Sequence, residues 1–403
     1  MAEIRPFLGI RPTRETAGDV IAPPYDVLSE VEAREIADCQ PNSFIHVTRP
    51  EVTMPLGSDS HSPEAYQAAR LQLNRLITSG SLVREATPSF YLYTQTMGDH
   101  TQSGLMVTCS VSEYDDGQIK RHEFTRPAKE LDRVNHILGS GAQTGLVFLT
   151  HKSDPAIAEL QESALNDTPL YSITTKDGVI HTLRVISSPD QVAAWQSAFS
   201  RVDALYIADG HHRSAAASRV FAEREGAGNS GWFLAGLFPD DALCVMAYNR
   251  VVNDLNGHEP DEFMSLVMES FNVTKTVTTK PSQRGSVQMY FGGDWYSLTA
   301  KRVDESDPVA RLDVAVLQDQ LLSPVLGISD PRRDTRIRFV GGIRGTDPLE
   351  KAVDSGECAV AFSMFPTSLD ELFEVADAGE VMPPKSTWFE PKLAGGVVLH
   401  QID

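Results

Sequence analysis

The stretch Leu205-Tyr206-Ile207-Ala208-Asp209-Gly210-His211-His212-Arg213-Ser214-Ala215-Ala216-Ala217 constrains this chain more than any other. Ala204 to Ala208 is short, branched and aromatic, which predicts a buried strand. Ser214 to Glu225 is dominated by helix formers and is stopped by Gly226 and Gly228. Asp209 or Gly210 therefore falls at a helix N-cap, where the first N–H groups lack internal partners and the helix dipole is positive. Such a terminus suits an anion, and Gly210 lets a phosphate approach the backbone. Arg213 adds a bidentate guanidinium, while His211 and His212 supply titratable nitrogens. An ordinary capped turn shares the strand–Asp-Gly–helix outline. The unbroken polar run from Asp209 to Arg213 is what marks this one as a site. Neighbouring helical residues point about 100° apart, so His211 and His212 chelate one ion poorly and no metal site is assigned.

The rest of the composition narrows the partners. The 403 residues carry 55 acidic against 35 basic side chains, a formal net charge of −20. General binding to nucleic acid or to an anionic membrane is excluded on that ground, since both want a basic footprint. A phosphorylated small molecule needs only a local basic cluster. Cys39, Cys109, Cys244 and Cys358 are scattered, with no CxxC pair, as in a reducing compartment. The start, Met-Ala-Glu-Ile-Arg-Pro, has no apolar signal core, and no apolar run approaches the roughly 20 residues of a membrane span. The expected protein is soluble and cytoplasmic; the sequence leaves its oligomeric state open.

Four further stretches carry candidate chemistry. In Ala22-Pro23-Pro24-Tyr25-Asp26-Val27 two prolines stiffen the backbone and present Tyr25 and Asp26 to a ligand. The same segment also reads as a rigid connector, with Asp26 or Ser29 capping the helix Glu30 to Ala37. Ile119 to Arg133 is the densest mixture of charges, with Glu123 as a candidate general base and Arg121, Lys129 and Arg133 as phosphate ligands. Tyr248-Asn249-Arg250 lies on an expected strand, Leu243 to Val252, from which Asn249 and Arg250 either face the cleft or merely edge the sheet. In the tail, Pro383-Pro384 braces Lys385-Ser386-Thr387, which suit phosphate or carboxylate oxygens, ahead of Trp388-Phe389. Gly341-Gly342-Ile343-Arg344-Gly345 lacks the residues of a P-loop. Elsewhere the patterning predicts strands over Phe90 to Thr96 and Gly104 to Tyr114, a helix over Glu262 to Phe271, and an exposed charged stretch over Asp330 to Phe339.

Ala-Pro-Pro-Tyr-Asp-Val, Arg-His-Glu with Lys-x-x-Asp-Arg, Asp-Gly-His-His-Arg and Pro-Pro-Lys-Ser-Thr-Trp-Phe-x-Pro-Lys occur in one order along the chain. Together they resemble the bacterial family labelled domain of unknown function 1015. Asp-Gly-His-His-Arg also looks like the nucleotide motif of free serine kinases in the ParB/sulfiredoxin-like superfamily. That resemblance implies phosphate-binding positions at Gly210 and Arg213, a catalytic motif at Asp209, His211 and His212, and an acidic base for which Glu123 is a candidate.

The expected fold is mixed α/β (α+β). It would comprise a ParB/sulfiredoxin-like core with large insertions over residues 1–254, and a C-terminal α/β region over 255–403 whose tail folds back on the core. The expected function is phosphoryl transfer from ATP or ADP, with Mg²⁺, to the hydroxyl of a free amino acid, first of all L-serine. Two other classes remain open: a nucleotide-sensing protein that binds without reacting, and a metal-dependent hydrolase using His211, His212 and Asp209.

Overall fold

The structure, a computed structural model, describes residues 2–403. Its fold is mixed α/β, and the chain forms two compact units. The first comprises the residues up to Arg121, Thr125–Leu243 and Pro391–Asp403; the second comprises His122–Phe124 and Cys244–Glu390. The sequence suggested a single change of texture near residue 255. The long division of the structure falls at Leu243/Cys244, and the last 13 residues, part of the tail the sequence reading turned back on the core, group with the first unit.

The first unit is built on a nine-stranded sheet. Its strands are β1 (Ile4–Arg5), β2 (Phe90–Met97), β3 (His100–Ser110), β4 (Ile119–Lys120), β5 (Val147–His151), β6 (Tyr171–Thr174), β7 (Ile180–Ile186), β8 (Leu205–Asp209) and β9 (Trp232–Pro239). They lie in the order β4-β8-β5-β9-β3-β2-β7-β6, with β1 beside β3. Strand side chains alternate between faces. Phe90, Leu92, Leu105, Val107 and Cys109 enter a core with Ile157, Trp195, Ala198 and Phe199. The opposite face carries Tyr91, Tyr93, Gln95 and Gln102. The helices of this unit are α1 (Glu30–Cys39), α2 (Pro63–Thr78), α3 (Pro127–Ser140), α4 (Pro155–Leu165), α5 (Pro189–Phe199) and α6 (His211–Glu223); α4, α5 and α6 pack into the sheet core, while α1 and α2 share a second core with Ile10, Phe44 and Leu399. Ser29 caps α1 in a reciprocal box with Glu32, satisfying two end donors at once.

The second unit has a six-stranded antiparallel sheet. It contains β10 (Tyr248–Val252), β11 (Phe271–Thr276), β12 (Val287–Phe291), β13 (Asp294–Ala300), β14 (Ile337–Gly341) and β15 (Val360–Ser363), in the order β11-β13-β12-β15-β10-β14. Val251, Tyr290, Trp295, Leu349 and Ala361 form its core. Cys244–Met246 pairs with Trp388–Glu390 in a separate two-stranded ribbon.

Several boundaries differ from the sequence reading. The strand expected over Gly104 to Tyr114 ends at Ser110, and Val111–Asp115 is a short helix. Val111 and Tyr114, three apart, are both buried, so helical spacing wins over the apparent alternation. Leu243 to Val252 divides into Cys244–Met246 and β10. Phe271 starts β11 instead of ending a helix. The charged stretch to Phe339 runs into β14, where Ile337 is buried. The glycines at 341 and 342 serve close packing: a side chain at Gly341 would strike the Trp388 ring, and one at Gly342 the Ala247 carbonyl.

Candidate functional site

The site of the first unit grows from the end of β8. This strand pairs antiparallel with β5, and the register slips between Ile207 and Asp209. Gly210 follows at φ +101, a backbone region open mainly to glycine, and serves as the N-cap of α6. The chain thereby turns within one residue, leaving Asp209 at the strand tip and His211 opening the helix. The Gly210 carbonyl accepts from the N–H groups of Arg213 and Ser214 at 2.8 and 3.0 Å. Helix formation also follows from the alanines: Ala215 and Ala217 enter the main core, and Ala216 packs with Val134 and Ile137 of α3.

The Asp209 carboxylate sits between two cations. Lys392 Nζ donates to its Oδ2 at 3.1 Å, and Arg213 Nη2 lies 3.7 Å from the same oxygen. Burial works against the charge, but Lys392 and Arg213 together hold the carboxyl well below the usual carboxylate range. Arg213 is itself fixed from several sides. Its Nη1 donates to the Leu146 carbonyl, its Nη2 is 3.7 Å from Asp26 Oδ2, and it hydrogen-bonds Tyr25. Burial disfavours its charge, yet Asp209, Tyr25 and Asp26 raise its pKa above the ordinary arginine value.

A second guanidinium stands nearby. Arg133 stacks over the Tyr25 ring, 4.4 Å from its centroid, and grips Asp132 Oδ2 through Nε at 3.0 Å and Nη2 at 2.6 Å. Tyr66 donates to the other Asp132 oxygen at 2.9 Å. Tyr25, Arg133, His136, Gln143, Thr144 and Arg213 contribute to the lining of one small cleft of about 20 Å³. His136 faces it with its Nε2 2.9 Å from the Val47 carbonyl; burial and Arg133 push its pKa down to about 4. His212 Nε2 accepts from the Arg126 N–H at 2.9 Å. His211 is 6% exposed.

The structure thus gathers Tyr25, Asp26, Arg133, Asp209, Gly210 and Arg213, with His211 and His212 on the first turn of α6. Arg121 is engaged elsewhere: its guanidinium lies 5.4 Å from the Tyr114 ring centroid. Lys129 is exposed on α3. Glu123, Arg250, Lys385, Ser386 and Thr387 all belong to the second unit. There Arg250 is 3% exposed, donating to the carbonyls of Tyr248 and, at 3.2 Å, Lys385; burial pushes its pKa down to about 10. Ser386 donates to the Pro383 carbonyl at 2.6 Å, and its own carbonyl accepts from Thr367 at 3.0 Å. Lys385 holds a left-handed φ of +61, with Nζ 5.4 Å from the Tyr248 ring centroid. Thr387 is half-buried.

Lys392 and Asp132 lie within the quoted motifs, but sequence reasoning assigned neither a role. The signal for Lys392 was a lone cation after Phe-Glu-Pro in the tail; for Asp132, a carboxylate adjacent to Arg133. Among the described residues no group of three or more His, Cys, Asp or Glu side chains can hold a metal ion, which leaves the hydrolase alternative without a ligand set. No helix is long and apolar enough to cross a membrane.

The chain is thus a mixed α/β protein that carries, at a strand tip beside a helix N-terminus, a carboxylate paired to a lysine and an arginine. The chain belongs to the family described as protein of unknown function, DUF1015, whose model matches residues 4–315. No curated protein matches it. Similar solved structures include a free serine kinase in complex with AMP, at 12% identity and TM-score 0.36, covering 71% of this chain and 86% of that one. Another is a conserved hypothetical protein from Pyrococcus furiosus, at 15% identity and TM-score 0.35, covering 71% and 90%. A third is SbnI with C-terminal truncation from Staphylococcus aureus, at 12% and 0.38, covering 71% and 82%. TM-scores this low mark a likeness too loose to carry a role from one chain to another.

Proposed function

We propose that the protein is a small-molecule kinase that moves the terminal phosphoryl group of ATP or ADP onto the hydroxyl of a free amino acid, first of all L-serine. The observation that carries the reading is the Asp209 carboxylate held between Lys392 and Arg213 at the start of α6. Phosphoryl transfer asks the protein mainly for positioning and charge neutralisation. Arg213, Arg133, Gly210 and the helix terminus offer that for phosphate oxygens, and Tyr25 and Asp26 line the substrate side. The choice of serine rests on the resemblance of Asp-Gly-His-His-Arg to the free serine kinase motif, and with it goes a ParB/sulfiredoxin-like core.

In the reaction the substrate oxygen bonds to the terminal phosphorus as the bridging P–O bond breaks, and the nucleotide leaves with one phosphate fewer. The hydroxyl proton passes to a carboxylate. Asp209 is weakly basic while Lys392 and Arg213 face it alone; phosphate oxygens that share those two cations would raise its basicity without moving them. Glu123 is the other candidate base. His211 or His212 would steady transferred charge. Arg121, Lys129, Lys385, Ser386, Thr387 and Arg250 keep ligand roles that single substitutions can test. Mg²⁺ would arrive on the nucleotide, since it takes few protein ligands and keeps its waters.

One observation favours a second reading, nucleotide binding without turnover: Asp209 is already neutralised, as in a site built to hold an anion. Phosphorus NMR with Mg²⁺, L-serine and either ATP or ADP separates the two. A new phosphomonoester resonance, absent with Asp209→Asn, supports the kinase. Bound nucleotide with no product from either donor leaves the binding protein.

A further inference from the structure

Lys392 reaches Asp209 from a strap, residues 391–399, that crosses the sheet face opposite the main core of the first unit. Gln95 on β2 and Gln102 on β3 stand directly opposite each other in register, and are 0% and 1% exposed. Gln95 Nε2 donates to the Lys392 carbonyl at 2.8 Å. Gln102 Nε2 donates to the Pro391 carbonyl at 3.1 Å and to Gln95 Oε1 at 3.0 Å. Two residues further, the Ala394 N–H bonds the Tyr93 hydroxyl, which lies 2.6 Å from His181 Nδ1. Leu393 packs near Gly236, and the Tyr171 hydroxyl meets the Val397 carbonyl at 3.4 Å.

Apolar side chains would seat a strap on this face at lower cost, because a buried amide needs every one of its partners. Here the cost is not fully met: Gln102 Oε1 has no hydrogen-bond partner. What the glutamine pair adds is direction. It fixes the carbonyls of two consecutive residues, and so the backbone root of the Lys392 side chain. A lysine loses more rotamer freedom than most residues on ordering, and a fixed root leaves fewer torsions to settle.

We infer that Gln95 and Gln102 are positioning residues that hold the Lys392 ammonium at Asp209, making the strap a built part of the site. The catalytic consequence rests on the kinase reading; the geometric claim does not. In the Gln95→Met, Gln102→Met double variant the chain length at each position is kept and the amides are lost. Reductive methylation of Lys392, followed by peptide mass spectrometry, should run several-fold faster in that variant than in the wild type. kcat should fall on the order of 10²-fold, with KM for the nucleotide little changed. A merely structural role would instead lower the melting temperature and leave the Lys392 labelling rate of the folded fraction, and the ratio of kcat to KM effects, as in the wild type; that result overturns the inference. If the double variant does not fold, the two single variants carry the same measurements. If the wild type forms no phosphomonoester, the kinase reading falls and the labelling rates alone decide the clamp.

Discussion

Lys392 and Asp209 are 183 positions apart in the chain, and the lysine Nζ lies 3.1 Å from the aspartate Oδ2. Each constrains the other. The carboxylate is kept ionised in a largely enclosed place, and the ammonium is given a fixed direction. Lys392→Met should therefore lower kcat by roughly 10²- to 10³-fold, the usual effect of losing one preorganised donor to developing charge. Asp209→Asn should abolish turnover while retaining nucleotide, as judged by phosphorus NMR and calorimetric binding side by side.

Arg213 touches Leu146, Tyr25, Asp26 and Asp209 through a planar fork that a lysine does not reproduce. Arg213→Lys should weaken binding of a non-hydrolysable ATP analogue by about 1.5–3 kcal/mol, or roughly 10- to 100-fold in Kd. Isothermal titration checks it, and unchanged affinity would remove Arg213 from the phosphate site.

Gly210 adopts φ +101, and a methyl group placed there would sit 3.3 Å from Arg213 Nε and 3.4 Å from Val147 Cα. Gly210→Ala should cost about 1–2 kcal/mol of stability from the left-handed backbone alone. It should also displace the guanidinium, so affinity and melting temperature fall together.

His136, His181 and His400 are buried in the first unit, and burial pushes each pKa down to about 4. Their unfolded values lie near 6.5. Above that pH both states carry neutral imidazoles and stability is full. Below it the unfolded chain takes up protons that the folded state refuses, so stability is lost as pH falls from about 6.5 to 4, on the order of 3 kcal/mol per histidine. Urea melts at pH 7 and pH 4.5 measure the loss. His136→Gln, which can still donate to Val47, should make the slope shallower.

How much of this was legible depended on sequence distance. Asp209, Gly210 and Arg213 were readable because a strand, a glycine and an alanine-rich helix sit side by side in the chain, and local chemistry fixes their turn. Tyr25 and Asp26 stood out because prolines stiffen their approach. The Lys392–Asp209 pair was not readable, because it depends on which sheet face the strap crosses, a matter settled by Gln95 and Gln102. Ser386 reads as a phosphate ligand in the sequence, and in the fold its hydroxyl also donates to the Pro383 carbonyl. A polar triplet between prolines does not distinguish the two uses. Val111–Asp115 failed for a different reason: its alternation suited a strand, and only the shared burial of Val111 and Tyr114 made it helical.

The first unit is closed by residues 391–403, which a ribosome adds after every strand and helix they rest on. Domains tend to fold as they emerge, but here the sheet must wait with Gln95 and Gln102 uncovered until the strap itself clears the exit tunnel. A chain interrupted anywhere between Glu223 and Lys392 would carry the whole strand–glycine–helix motif and still lack its ammonium. Synthesis of the strap is in this sense the final step in assembling the site.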